Sequence, residues 1–190
     1  RWPRPSTARR GSPRASGPAL PSRSASRCSS RCRTCRWCPQ LPASTEAFSR
    51  ALYQALVQFN EPSAAEIIRR AFTLYTLDQV LIEVIQPVLV EMGEAWHKGQ
   101  LPIAVEHFAT QFCMQYMMGM LSASAPPSRS GVIVAAGAPG EMHQIGLLML
   151  VVMLRWRGWD VRYLGPDLSL DRLAEALWPL RPRMLLFSAT

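Results

Sequence analysis

The first 40 residues contain no acidic side chain at all, against ten arginines, and the chain as a whole lacks both a membrane-length apolar run and a paired cysteine framework. Each absence excludes something. The net charge of +8 comes entirely from the amino-terminal stretch, because the other 150 residues carry 11 basic and 13 acidic side chains, a net of −2. The positive balance is therefore no sign of a nucleic-acid-binding face on the folded part. The longest apolar run, Leu147 to Leu154, falls far short of the roughly 20 residues a spanning helix needs, so no membrane partner is expected and a cytoplasmic location is the default. Four of the five cysteines crowd into the arginine-rich stretch, and Cys113 stands on a helix facing an expected core.

What is present divides into three parts. Residues 1–43 are rich in Arg, Ser and Pro with almost no periodic apolar positions, so they cannot bury enough surface to offset their ordering entropy and read as a disordered tail. Cys28, Cys32, Cys35 and Cys38 have the look of a metal site, but zinc modules place a folded loop between two ligand pairs and all four here lie within eleven residues. The chain starts without methionine and the composition resembles a misread frame of GC-rich DNA, so the expectation is that the tail is not native sequence.

Residues 45–122 carry helical periodicity. Phe48, Leu52, Ala55, Leu56 and Phe59 recur at helical spacing until Asn60-Glu61-Pro62 stops the run. Ser63 to Glu66 has the capping-box pattern for a second helix with Ile67, Ala71, Leu74 and Tyr75 on one side. A third run places Val80, Leu81, Val84, Val88, Met92 and Trp96 on one stripe, with Pro87 expected to kink or break it. Lys98-Gly99 closes that helix and Leu101-Pro102 opens a fourth, from Ile103 to about Leu121. Its methionines 114, 117, 118 and 120 read as core packing. Four helices with short connections make an antiparallel bundle.

Ser122 to Ser130 is a linker, and over residues 131–190 the period changes. Strands are expected at Val132–Val134, Val161–Leu164 and Met184–Phe187, with helices at about Gln144–Arg157 and Leu170–Trp178 between them. This alternation predicts a doubly wound parallel sheet. Three strands with two helices leave an open edge, so the sheet reads as truncated and the chain as a fragment. The fold class is α + α/β: a four-helix bundle followed by a truncated, Rossmann-like sheet domain.

Candidate chemistry gathers at two places. Between the first strand and its helix lies Glu141-Met142-His143-Gln144-Ile145-Gly146, an E-x-H-x-x-G pattern. Glu141 can accept the proton of one His143 ring nitrogen and make the other a better metal ligand, while Gly146 lets a flat group approach the backbone. A single histidine cannot hold a bare metal, so the implied metal arrives inside a macrocycle; alone, the pattern is weak and more often marks a polar turn that happens to contain a histidine. Ser188 follows the third strand at the same sheet edge, as a ligand contact or as a strand-end cap. In the bundle, Trp96 and Glu106-His107 are brought to one tip by a short turn. They fit a lid over a planar group, or core filling beside a first-turn carboxylate that suits the helix dipole. His97 is either a solvent-facing residue or a reserve metal ligand.

A helical bundle followed by a sheet domain opening with E-x-H-x-x-G resembles the cobalamin-binding module, whose more common form has Asp at the position of Glu141. In that family a Ser-x-Leu element follows about 41 residues after the motif glycine. Here 41 residues separate Gly146 from Ser188, with Thr190 in place of the Leu. Trp96 through His107 reads W-x9-E-H, which is similar to the signature of CarH-type regulators, light-sensing members of the MerR class that use adenosylcobalamin. The resemblance covers about residues 46–190 and implies a role for each residue. His143 is the lower axial ligand of cobalt, oriented by Glu141; Gly146 admits the corrin; Ser188 contacts the buried tail. Trp96, Glu106 and His107 cover the adenosyl group, and His97 is the ligand expected once that group has left. It further implies a non-enzymatic sensory module and a homo-oligomer that light disassembles, with DNA bound only through a domain absent from this chain. The rival reading is a corrinoid carrier subunit of a cobalamin-dependent methyltransferase; a third is a truncated product that binds nothing.

Overall fold

The computed structural model describes residues 44–189. The expectations for the tail, its four cysteines and Thr190 lie outside the described residues.

Helix α1 (Thr45–Val57) starts at Ser44, whose Oγ accepts the Ala47 N–H at 3.3 Å. It buries Phe48, Leu52, Ala55 and Leu56 at helical spacing. Phe59, expected with them, is half exposed, because its φ of +54° takes it off the helical face; its ring lies 5.0 Å from that of Phe108.

Helix α2 (Glu61–Leu74) corrects the expected start. Asn60 is the N-cap, its Oδ1 accepting the Ser63 N–H at 3.1 Å, and Pro62 lies inside the first turn instead of ending the preceding run. A first-turn proline loses no helical hydrogen bond, so the residue read as a stop is tolerated as a start. Glu66 is left to pair with Arg69 and Arg70. The buried face also shifts, with Ala64, Ile68 and Ala71 inside and Leu74 exposed.

The third helix is continuous across three segments: α3 (Leu77–Gln79), a π-helical turn (Val80–Ile85) and α4 (Gln86–His97). Thr76 and Gln79 form the capping box at its start. Pro87 has no N–H to donate, and its ring crowds the carbonyl one turn back. The chain meets this with a wide turn, in which the Gln86 N–H reaches the Leu81 carbonyl, and not with a break.

Gly99, at φ +70°, ends α4, and α5 (Ile103–Ala123) runs two residues beyond expectation. Cys113 is fully buried, and burial pushes its thiol up to about 12. The methionines divide: Met117 is buried, Met118 is half exposed and Met114 faces a cavity. Positions 114, 117, 118 and 120 span more than one helical face, so they cannot all pack inward.

The sheet has strand order β2-β1-β3, all parallel: β1 (Val132–Gly137), β2 (Asp160–Tyr163) and β3 (Met184–Ser188). In register, Ile133 lies opposite both Val161 and Met184. Strand β1 extends three residues past expectation because it pairs with β2 as far as Ala135 and with β3 as far as Gly137, opposite Ser188. Helix α7 (Leu173–Leu177) is shorter than expected: Arg172 before it sits at φ +52°, and Ser169 Oγ takes the Asp171 N–H in a local turn that competes with helix.

Helix α6 (Ile145–Trp156) is apolar on nearly every face for a reason the fold supplies. Leu148, Met149 and Val152 join the core of the helical bundle, while Leu147 and Val151 pack with Ile133, Ala135 and Val161 of the sheet. Polar ties flank it, with Arg157 paired to Asp78 at 2.6 Å and Arg155 to the Ser124 hydroxyl at 3.1 Å. Among the described residues no helix is long and apolar enough to cross a membrane.

Candidate functional site

The motif loop leaves β1 at the carboxyl edge of the sheet, and neighbouring backbone holds it there. Gly137 admits this packing: a Cβ at that position would stand 3.0 Å from both the Glu141 carbonyl oxygen and Pro166 Cα. The Asp167 N–H donates to the Glu141 carbonyl at 2.9 Å, and Asp167 Oδ1 accepts the Gly140 N–H at 2.8 Å. The Ala138 N–H in turn donates to the Ser188 carbonyl at 2.9 Å. The Tyr163 hydroxyl donates to Gln144 Oε1 at 2.9 Å, and partial burial pushes that phenol's pKa upward. Asp167 and Tyr163 escape a sequence reading because they come from the strand beyond the motif, β2, and the loop that follows it.

Within the loop, Glu141 Oε1 accepts the His143 N–H at 2.7 Å and lies 2.8 Å from His143 Nδ1. The carboxylate is buried, at 7% exposure, whereas the His143 side chain is 83% exposed. A carboxylate facing Nδ1 keeps the proton on that atom, which makes Nε2 the basic nitrogen of the neutral ring. Gly146 opens α6, and a Cβ there would meet nothing within 4 Å.

Both expected clusters face one cavity of about 690 Å³ between the bundle and the sheet. Trp96, Glu106 and His107 line it from α4 and α5, His143 and Gly146 from the loop and α6. Trp96 is 46% exposed, so it is not core filling. Glu106 is held on both oxygens: the Thr110 hydroxyl donates to Oε1 at 2.8 Å, and His107 Nδ1 lies 2.7 Å from Oε2. Thr110 had no signal of its own in the sequence, its place one turn after Glu106 being the only clue.

Three expected residues lie apart from the cavity walls. Glu141 stands behind His143. His97 is exposed at the end of α4 and does not line the cavity. Ser188, at the end of β3, has a buried hydroxyl with no hydrogen-bond partner among the described residues. An orphaned hydroxyl carries a desolvation cost that a polar ligand atom would relieve. Among the described residues no three His, Cys, Asp or Glu side chains gather to cage a metal ion. The donor set is one exposed imidazole backed by a buried carboxylate, beside an open glycine. That set suits a metal already held in a flat macrocycle.

Residues 49–121 match the B12 binding domain family. The chain is 29% identical over 137 residues to the HTH-type transcriptional repressor CarH of Myxococcus xanthus, covering 72% of this chain and 46% of that one. It is 31% identical over 102 residues to the repressor CarA of the same organism, covering 54% and 34%. The matches thus span less than half the length of either repressor. The fold resembles that of the monomethylamine corrinoid protein of Methanosarcina barkeri, with a TM-score of 0.60 at 18% identity, over 77% of this chain and 71% of that one. The bundle at residues 49–121 is thus similar to the B12 binding domain, and the chain is similar over 137 residues to the repressor CarH.

Proposed function

We propose that this chain is the sensory module of a light-responsive transcriptional regulator, holding adenosylcobalamin between its helical bundle and its sheet. The observation that carries the reading is the single cavity faced by His143 and Gly146 on one wall and by Trp96, Glu106 and His107 on the other. Adenosylcobalamin, when bound, supplies a cobalt–carbon bond that light can break. His143 would hold the cobalt through Nε2, and Glu141 fixes its tautomer by accepting a hydrogen bond from the Nδ1–H. Gly146 leaves room for the corrin, and the orphaned Ser188 hydroxyl contacts the polar tail. On the bundle side Trp96 stacks over the adenosyl group, while Glu106, held by Thr110, accepts from its hydroxyls and His107 closes the same edge. No residue here is asked to turn over a substrate.

With the adenosyl group in place, Trp96, Glu106 and His107 would tie the bundle wall to the ligand; without it they would not, and a change of oligomeric state is the response proposed. DNA contact comes from outside the described residues. His97, exposed beside Trp96, reaches cobalt only if the end of α4 moves. An unchanged spectrum of the illuminated His97→Ala protein would exclude it as a ligand.

The competing reading, a corrinoid carrier for a methyltransferase, shares the fold. It must admit a methyl acceptor to cobalt, and a large indole with a carboxylate and an imidazole obstructs that approach. One experiment separates the two: the chain is offered adenosylcobalamin or methylcobalamin in the dark, then illuminated and sized by gel filtration. Selective uptake of the adenosyl form with a light-driven change in size supports the sensor. Preference for the methyl form supports the carrier.

A further inference from the structure

A glycine in mid-helix usually answers to a backbone or packing demand, and Gly93 in α4 answers to neither. Its φ is not positive, so the backbone does not require glycine. A Cβ at the position would meet nothing within 4 Å, so close packing does not require it either. Glycine there weakens the helix relative to alanine. What remains is the space it leaves empty. Gln86, Leu89, Val90, Gly93 and Trp96 form the stripe by which α4 lines the cavity, with Gly93 one turn before the indole. The facing wall also carries a glycine with open space at its Cβ, Gly146.

We infer that Gly93 determines the size of the upper-axial group this site accepts. The inference rests on the cobalamin reading above and adds a specificity determinant to it. The missing side chain leaves open space one turn from Trp96 in the wall of the cavity that His143 also lines, and a branched side chain would take up that space. Because the niche belongs to the bundle wall, filling it leaves the His143–Glu141 pair untouched. Corrinoids with a small upper ligand need no niche, so they escape the effect.

Gly119 in α5 supplies a control. It too has nothing within 4 Å of a Cβ, but it lines a separate groove with Phe72 and Phe112. Thermal midpoints of the ligand-free chain are measured for Gly93→Ala and Gly119→Ala, and dark affinities for adenosylcobalamin and hydroxocobalamin are measured for Gly93→Leu and Gly119→Leu. Both alanine variants are expected to melt about 2 °C higher than wild type. Gly93→Leu is expected to lose adenosylcobalamin affinity by about tenfold or more while keeping hydroxocobalamin within about threefold, and Gly119→Leu to change neither. Unaltered adenosylcobalamin affinity in Gly93→Leu overturns the inference, as does an equal loss for both corrinoids. A wild-type chain that takes up neither corrinoid overturns the cobalamin reading and this inference with it.

Discussion

One oxygen of the Glu141 carboxylate serves both the backbone N–H of His143, at 2.7 Å, and its ring Nδ1, at 2.8 Å. Two bonds from a buried group to a single residue fix the ring's rotation as well as its tautomer, so the exposed imidazole is aimed before any ligand arrives. Replacing Glu141 with Gln keeps an oxygen acceptor and removes the charge. Corrinoid affinity is expected to fall by about tenfold, in the range of losses seen when a group that orients a metal ligand is changed. Dark titration followed by visible absorption measures it, and wild-type affinity in the variant would show that the carboxylate does not tune the ligand.

Trp96 is half exposed over the cavity and therefore contributes little to the bundle's stability. Trp96→Ala is expected to cost about 1 kcal/mol or less in urea unfolding. Its effect on binding is expected to be selective, lowering the ratio of adenosylcobalamin to methylcobalamin affinity. A ratio equal to that of wild type would remove the indole from the lid.

Leu148 is fully buried in the bundle core although it belongs to a helix of the sheet region. Leu148→Ala is expected to destabilise the chain by about 2–5 kcal/mol. Unfolding should be monitored by two probes, helical circular dichroism and the fluorescence of Trp159 with the other five tryptophans replaced by Phe in both proteins. Because α6 is shared, both are expected to shift together; a shift confined to one would show that the two cores unfold independently.

Burial raises the Cys113 thiol from its ordinary 9.0 to about 12. The unfolded chain releases that proton at lower pH than the folded one, so the contribution is fully present below about pH 9 and is lost as pH rises toward 12. Stability is expected to fall over that window by less in Cys113→Ala than in wild type. Peptide-resolved alkylation at pH 8 should leave Cys113 unmodified until the chain is unfolded, and rapid labelling of the native protein would contradict its burial.

The four bundle helices were legible because one-sided burial imposes a period of 3.6 residues, as at Phe48, Leu52, Ala55 and Leu56. Where the pattern offered two neighbours it failed: Ile67 and Ile68 are adjacent, and only packing against the other helices selects Ile68 for the core. Asn60 and Ser63 are both good N-caps, and nothing local chooses between them. The tail of β1, Ala135-Ala136-Gly137, has weak strand preference and is held by pairing with β3, joined at Ala135 by β2, a long-range effect. At the site, the Glu141–His143 contact was readable because two residues on one turn determine it. The union of Trp96, Glu106 and His107 was readable because a short turn joins their helices. Gly93 and Asp167 were not, since the cavity that gives one its meaning and the loop that the other secures are made by distant parts of the chain.

The double-sided burial of α6 limits how the two halves can move. Pulling the bundle away from the sheet would bring Leu148, Met149 and Val152 into water, at about 25 cal/mol for each Å² of apolar surface uncovered. Sliding along that same layer exchanges one apolar neighbour for another and keeps water out. Shear along this layer therefore costs less apolar exposure than separation, and the Arg157–Asp78 pair lies beside it.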